Sequence, residues 1–471
     1  MAATRFEDPK PPAPVVVEER APAKPRVHPD AAFHGPPKAL SSAAVVEDWP
    51  RFLGRSGQPS SGETGLLQEF GTSGPRLVWE LSKGTGYSSP AIQGDYLVYL
   101  HRSGSQEVVD CLQPETGKRY WSYRYPTDFR DRYGYNNGPR SSPVIDGDHV
   151  YAYGAQGKLH CLRLRTGQIV WSRDIAAEFS VPQDFFGIAT TPLIEGGRLI
   201  LHVGSPGGPE VAAFDKLTGR MVWGTGDQWG ASYSTPVAAR VHGERRLFVL
   251  GGGESRPPTG GLLSIDPLDG GIDFRFPWRS ASYESVNASC PVVSGNRVLV
   301  SATYGTGAAL IEVKPDWTFA KLWENPDFDL HWTTAVYDEG YYYGFTGRNE
   351  PDARLTCVNA STGETVWSEL LEWQETVRVQ GEDRTIYASP LRGNLLKVDG
   401  RYLALGEHGH LLWLSLSPAG AKILDRTRLF LARETWAPPV VSRGLLYVSQ
   451  NARSIDPPSG PRLLCFDLRG S

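Results

Sequence analysis

Residues 140–173 read RSSPVIDGDHVYAYGAQGKLHCLRLRTGQIVWSR. Four short apolar segments, Ser142–Ile145, His149–Tyr153, Lys158–Leu164 and Ile169–Ser172, alternate in character. Asp146-Gly147, Gly154–Gly157 and Arg165–Gly167 separate them. Alternation between turn signals predicts strands joined as tight antiparallel hairpins. One four-stranded meander cannot bury both its faces, so a chain built on it must stack several.

The chain supplies them. The opening returns as YSSPAIQG (87–94), ATTPLIEG (189–196), YSTPV (233–237), ASCPVVSG (288–295), WTTAVYDEG (332–340) and WAPPVVSRG (436–444), with a weaker copy at 394–405. Copies close on TGKRYW (116–121), TGQIVW (166–171), TGRMVW (218–223) and TGETVW (362–367). Trp323 ends another, while Phe274 and Leu424 stand where two further copies would carry the Trp. A period of roughly 45–55 residues, four strands each, predicts an all-β propeller. Eight copies are counted; seven have four strands and the last, from Trp436, has three. Arg76–Glu80, with an orphan Trp79, precedes the first full copy and is the expected missing strand. Joining the two chain ends in one blade removes exposed sheet edges. A seven-bladed ring with one copy misread is the alternative.

Strand parity divides the loops between two faces. First-to-second and third-to-fourth turns are tight and share one face. Blade-to-blade and second-to-third loops share the other and are long and dissimilar: 126–140, 174–188, 251–261, 346–354 and 449–461. Varied loops on a rigid scaffold are where binding usually resides. The residue three before each opening Pro is expected at the channel mouth of that face. These are Tyr87, Arg140, Ala189, Tyr233, Ala288, Trp332 (aligned on Ala335) and Trp436, with Gly393 or Tyr387 for the seventh blade. Asn287 and His331 adjoin the ring, and Arg348 and Glu350 lie in a neighbouring loop. Aromatic faces with Arg, Asn and His suit a planar or sugar-like ligand, or a protein partner; the alternative is that these side chains plug the channel. Asp128, Asp131, Arg132, Tyr133, Asp184, Asp327 and Asp329 are further polar candidates in the same loops; two carboxylates near a His, as Asp327 and Asp329 are to His331, suit a metal or acid–base work. No catalytic residue and no metal site is assigned.

Residues 1–47 mix nine prolines with charges and alanine, and read as a disordered or extended linker. Residues 48–75, with Trp49, Phe52 and Leu53, read as an extension packed on the propeller, residues 76–471. No apolar stretch follows Met1, so no signal peptide or transmembrane span is expected in this chain. A Pro-rich spacer suits an exported or cell-envelope protein anchored by a segment outside this sequence; the cytoplasm stays open. A net charge of −4 and the lack of a basic stripe argue against nucleic acid. The five cysteines fall on blade strands without C-x-x-C or zinc spacing and read as core residues of an expected monomer.

The S-S-P opening, D-G turn and T-G-x-x-x-W close resemble the pyrroloquinoline-quinone (PQQ) repeat. The prelude DWPRFLG and then GPRLVWE resemble bacterial PQQ-like β-propeller repeat proteins over residues 48–471. The resemblance implies the fold more sharply than the function. The same repeat builds quinoprotein alcohol dehydrogenases and the non-enzymatic propeller of outer-membrane assembly. The first kind implies PQQ held by vicinal cysteines, a stacking Trp and calcium bound by Glu, Asn and Asp. This chain has no adjacent cysteines and no C-x-x-C-H; Trp332, Asn287 and Glu284 imitate part of such a site. The reading adopted is a non-enzymatic binding or scaffold propeller without a cofactor, with a PQQ- and calcium-dependent oxidoreductase as the alternative.

Overall fold

The computed structural model describes residues 6–12, 20–349 and 352–470. Eight antiparallel sheets follow one another along the chain as blades of a propeller. Blades 1–7 span 91–126, 144–174, 193–225, 237–277, 292–325, 336–369 and 394–428. In each, the strands neighbour one another in chain order, the pattern of a meander. Blade 8 is composite: Val440–Ser442, Leu445–Gln450 and Arg462–Asp467 are completed by Arg76–Ser82 from the other end of the sequence. Trp79 pairs with Cys465, and Leu81 with Leu463. Sequence distance between these strands is nearly the whole chain, so the ring is sealed inside a sheet.

The repeated Trp and Gly have one physical explanation. The Trp of each fourth strand lies under the third-to-fourth turn of the next blade, and its Nε1 donates to a carbonyl there. Trp79 reaches Pro114 O at 2.7 Å, Trp121 reaches Leu164 O at 2.7 Å, Trp171 reaches Lys216 O at 3.0 Å, and Trp323 reaches Ala360 O at 3.1 Å. The turn residue above the ring is Gly in left-handed conformation. A Cβ on Gly167 (φ +69°) would lie 2.6 Å from the Trp121 ring. Only Gly allows both the φ and the close approach. The motif is therefore a latch between blades. Four of the cysteines pair with these tryptophans across the sheet: Cys111 with Trp121, Cys161 with Trp171, Cys357 with Trp367 and Cys465 with Trp79. All five are buried free thiols.

The two missing tryptophans also follow from the latch. Blade 8 has no third-to-fourth turn, because those strands come from opposite ends of the sequence. In blade 7 the residue in the Trp register is Asp425, opposite Trp413, and not Leu424 as the sequence suggests, because Leu424 is the unpaired bulge residue; the segment Leu66–Phe70 takes the turn's place. Trp413 Nε1 donates to Leu67 O at 2.9 Å, and the Phe70 amide donates to Asp425. Blade 4 carries Phe274, which packs on Phe319 of blade 5 with ring centroids 4.9 Å apart.

Residues 48–70 cross the face of tight turns. Trp49 bridges to Ile92, Pro50 O accepts from the Ile145 amide, Ser60 bridges to Lys397, and Leu66 bridges to Arg469. Leu53 packs with Val237 and Cys290 at the channel end. The sequence suggests a linker for 1–47; the described parts of that stretch run along the rim. Ala31–Phe33 adds a fifth strand outside Arg76–Ser82, so Trp79 lies in the fourth strand of its sheet and not in the outermost. Arg26 bridges to Arg119 of blade 1. Asp8 pairs at 2.6 Å with Arg173, whose side chain is fully buried on blade 2. An extended, proline-containing chain can still exchange hydrogen bonds with an open sheet edge, which is what the composition leaves out of view.

Between blades 6 and 7 an additional hairpin, Trp373–Val379 with Glu382–Ala388, stands on the loop-rich face. Among the described residues no helix is long and apolar enough to cross a membrane.

Candidate functional site

The channel mouth of the loop-rich face opens on a cavity of about 410 Å³. Seven of its eight mouth positions follow one rule of register; in blade 4 the hairpin is two residues longer, and the turn residue His242 comes nine after Tyr233. In blade 2 the first turn residue with positive φ is Gly147, seven after Arg140; in blade 1 it is Gly94, seven after Tyr87. Blades 3, 5, 6 and 8 repeat the spacing from Ala189, Ala288, Trp332 and Trp436 to Gly196, Gly295, Glu339 and Arg443. In blade 7 that turn residue is Asp399, and the hairpin pairs Val398 with Arg401 as blade 2 pairs Asp146 with His149. The seventh mouth position is therefore Arg392. Neither Gly393 nor Tyr387 occupies it, because Asp399 adopts the left-handed conformation one residue ahead of Gly400. Tyr387 is on the hairpin and 68 % exposed. With Arg392 in place, all eight mouth positions line the cavity.

Phe52 of the N-terminal segment also lines it, from the tight-turn side. The wall is a chain of tilted rings. Tyr87 and Trp436 have centroids 5.0 Å apart at 32°, Trp332 and Trp436 5.1 Å at 49°, and Tyr135 and Trp436 5.5 Å at 64°. Phe186 meets Tyr233 at 5.5 Å and 61°, and the Tyr233 hydroxyl accepts from the Phe186 amide at 3.1 Å. His331 and Tyr304 continue the wall beyond Trp332. Trp332 Nε1 and His331 Nδ1 are buried with no protein partner among the described residues.

Four guanidiniums line the cavity: Arg140, Arg348, Arg392 and Arg433. Arg140 pairs with buried Asp131 and lies 5.3 Å over the Tyr87 ring. Arg392 lies 4.4 Å over Trp332 and pairs with buried Glu407, which also accepts from Trp436 Nε1 at 2.6 Å. Arg348 lies 4.1 Å over Tyr304. Among the described cavity-lining residues Glu434 is the one carboxylate, and it accepts from the Tyr87 hydroxyl. Burial, and then the nearby Arg392 and Arg348 charges, push His331 down to about 3, so it is neutral at pH 7. Burial raises the Glu434 carboxyl.

Of the residues expected at the site, Tyr87, Arg140, Tyr233, His331, Trp332, Arg348 and Trp436 are brought together on this wall. Asn287 is not. It is fully buried, and its Nδ2 donates to Gly251 O at 2.8 Å and Trp278 O at 3.0 Å, tying two loops together. Adjacency to the ring in sequence turned its side chain away from the channel. Glu350 lies outside the described residues. Arg392, Arg433, Tyr135, Phe186 and Tyr304 line the cavity without having been singled out.

Asp184, beside the cavity loops, is the clearest titration probe. It takes φ 43°, its Oδ2 accepts the Glu254 amide at 3.1 Å, and Glu254, Arg132 and Arg279 are the charges around it. Burial raises its carboxyl to about 6, against 3.8 ordinarily. The folded state then holds the proton more tightly than the unfolded chain. Ionisation costs folding stability above about pH 6, and the cost fades as pH falls toward 4. Asp184→Asn keeps the accepting oxygen and tolerates the left-handed φ. It is expected to raise stability at pH 8 by about 1–3 kcal/mol and to flatten the pH 4–8 profile. Urea melts across that range check this; an unchanged profile contradicts it.

The donor set for a calcium–quinone site is not assembled. No group of three or more His, Cys, Asp or Glu is placed to hold a metal ion among the described residues. Asn287 Nδ2 is held by two backbone carbonyls and its Oδ1 is buried without a protein partner among the described residues, but the residue is not among those lining the cavity; no two cysteines are adjacent in the sequence.

The family profile described as outer membrane protein assembly factor BamB matches residues 105–369, more than half of the chain. The chain belongs to this family of PQQ-like repeat propellers. BamB of Yersinia pestis is 26% identical over 250 residues, 51% of this chain and 56% of that protein. A quinoprotein alcohol dehydrogenase of Pseudomonas putida is 29% identical over 159 residues, 31% of this chain and 25% of that protein. The propeller thus spans between a quarter and a little over half the length of these curated relatives. Among solved structures, quinohemoprotein alcohol dehydrogenase of Comamonas testosteroni superposes with TM-score 0.62 at 14% identity, covering 90% of this chain and 81% of that one. BamB of Moraxella catarrhalis superposes with TM-score 0.54 at 15% identity, covering 84% of this chain and 98% of that one. These superpositions establish a common propeller fold. They do not choose between an assembly factor and a dehydrogenase.

Proposed function

We propose that this PQQ-like repeat propeller is a non-catalytic binding protein of the bacterial cell envelope, which holds a small ligand in the mouth of its loop-rich face. The observation that supports this reading is the ring itself. Eight mouth positions, one per blade and seven of them in the same register, converge on one cavity, and three of them, Tyr87, Trp332 and Trp436, present contiguous aromatic rings. Such a concave, aromatic-walled site with a few polar groups is what small-molecule recognition requires. The long loops 126–140 and 174–188 widen the same face and suit a protein partner once the mouth is filled. The envelope location draws on the relatives named for outer-membrane assembly.

Ligand-observed NMR on a panel of oligosaccharides, nucleotides, aromatic acids and quinones tests the reading. At least one class is expected to bind saturably, and Trp332→Ala or Trp436→Ala is expected to weaken it at least tenfold while the melting temperature moves little. A panel that gives no binding, or binding indifferent to both variants, refutes it. PQQ with calcium is expected to give neither saturable binding nor dye-coupled alcohol oxidation. Either result would revive the dehydrogenase reading.

A further inference from the structure

We infer that the ligand of this mouth is an acidic sugar, a uronate-containing oligosaccharide, whose rings stack on the tilted aromatics and whose carboxylates meet Arg348 and Arg433. The inference deepens the proposed binding function and rests on it.

Charge comes first. Arg140 and Arg392 are each matched by a buried acid, Asp131 and Glu407. Arg348 and Arg433 line the same cavity and form no ion pair with an acid among the described residues. Glu434 is the carboxylate of the described wall; the Tyr87 hydroxyl takes one of its oxygens, and it forms no ion pair with Arg348 or Arg433. The mouth therefore presents two guanidiniums whose planar forks are open to a ligand, and carboxylates are their natural bidentate partners.

Ring geometry decides what carries the carboxylate. A flat heteroaromatic ligand is gripped between two parallel faces. Neighbouring rings along this wall are inclined to one another at 32°, 49°, 64° and 61°, so each turns its own face to the cavity and they do not form one flat stack. A bowl of inclined rings instead offers separate faces. The axial C–H faces of a pyranose settle on such single rings, because the negative π-face attracts polarised C–H groups. Hydroxyl groups need partners between those faces. Asn349, the Oδ1 of Asn394, whose Nδ2 is held by Trp436 O, and the hydroxyls of Thr191 and Thr235, which accept backbone amides and can still donate, lie in the cavity wall. A buried donor, Trp332 Nε1, has no protein partner, which a purely space-filling indole would not leave. At about 410 Å³ the cavity has room for more than one small ring.

Titration calorimetry with digalacturonate, its dimethyl ester and naphthalene-2,6-dicarboxylate tests the assignment on the full chain. Digalacturonate is expected to bind saturably and at least tenfold more tightly than the ester. Arg348→Gln and Arg433→Gln are each expected to weaken the acid about tenfold and leave the ester unchanged, with identical thermal melts. Equal affinity for acid and ester shows that the guanidiniums are idle and overturns the inference. Tighter binding of the flat dicarboxylate overturns the sugar. Absence of digalacturonate binding also overturns it; the binding function then stands if another panel class binds through Trp332 and Trp436, and falls with it if none does.

Discussion

A chain shortened to begin at residue 83 is expected to have no cooperative melting transition and to aggregate. The cut removes Arg76–Ser82, the fourth strand of blade 8. Val78, Trp79 and Leu81 are fully or almost fully buried in that strand. Burial of one such side chain stabilises by about 1.5–3 kcal/mol, so these three alone approach the whole stability of a domain. The loss is also topological. Arg462–Asp467 becomes an open edge, and the Pro114 carbonyl of blade 1 loses the Trp79 indole. A peptide of residues 70–86 added in trans is expected to restore a transition in part. Differential scanning calorimetry reads both results, and a cooperative melt near that of the full chain would show that the ring closes without its seam. Removal of residues 1–47 is a milder cut. It takes Ala31–Phe33 from the edge and leaves fully buried Arg173 with Glu178 but without Asp8, and it is expected to cost about 1–3 kcal/mol.

The second large effect lies in the latch. Trp121→Ala is expected to cost about 3–5 kcal/mol, as for other buried tryptophans, and to leave the Leu164 carbonyl without its donor. Gly167→Ala approaches the same contact from the turn. Its Cβ would sit 2.6 Å from the Trp121 ring at φ +69°. Gly147 provides the control: φ is +58°, and nothing lies within 4 Å of a Cβ there. Gly147→Ala bears only the backbone strain, about 1–2 kcal/mol. Gly167→Ala bears that strain and the clash, and is expected to be worse by about 1–3 kcal/mol. In the double variant with Trp121→Ala the excess is expected to vanish. Strict additivity in this cycle would show that indole and turn are not coupled.

These results bear on what could be read from residues alone. Blade number, seam and loop-rich face were legible, because each is written many times over by the opening Pro, the turn Gly and the latch Trp. The cavity was legible only where that repeat is strict. Arg392 was missed because Asp399 takes the left-handed turn position usually held by Gly, which slips the pattern by one. His331 and Asn287 occupy the same place relative to their rings, yet one faces the mouth and the other fastens Gly251 to Trp278. No periodicity distinguishes them. Tyr135, Phe186 and Tyr304 arrive from loops, where length and composition leave direction open. The rim contacts of the Pro-rich stretch depend on a sheet edge created only when the ring exists.

The composite blade also orders events during biosynthesis. Arg76–Ser82 leaves the ribosome before any blade, and its partner Arg462–Asp467 leaves after all seven other blades. While the seven intervening blades are made, an apolar strand, Leu-Val-Trp-Glu-Leu, waits without a mate. A nascent chain in that condition depends on holding factors, and at high expression it can borrow the strand of a neighbouring copy, so that misassembly takes the form of strand-exchanged oligomers rather than misfolded blades.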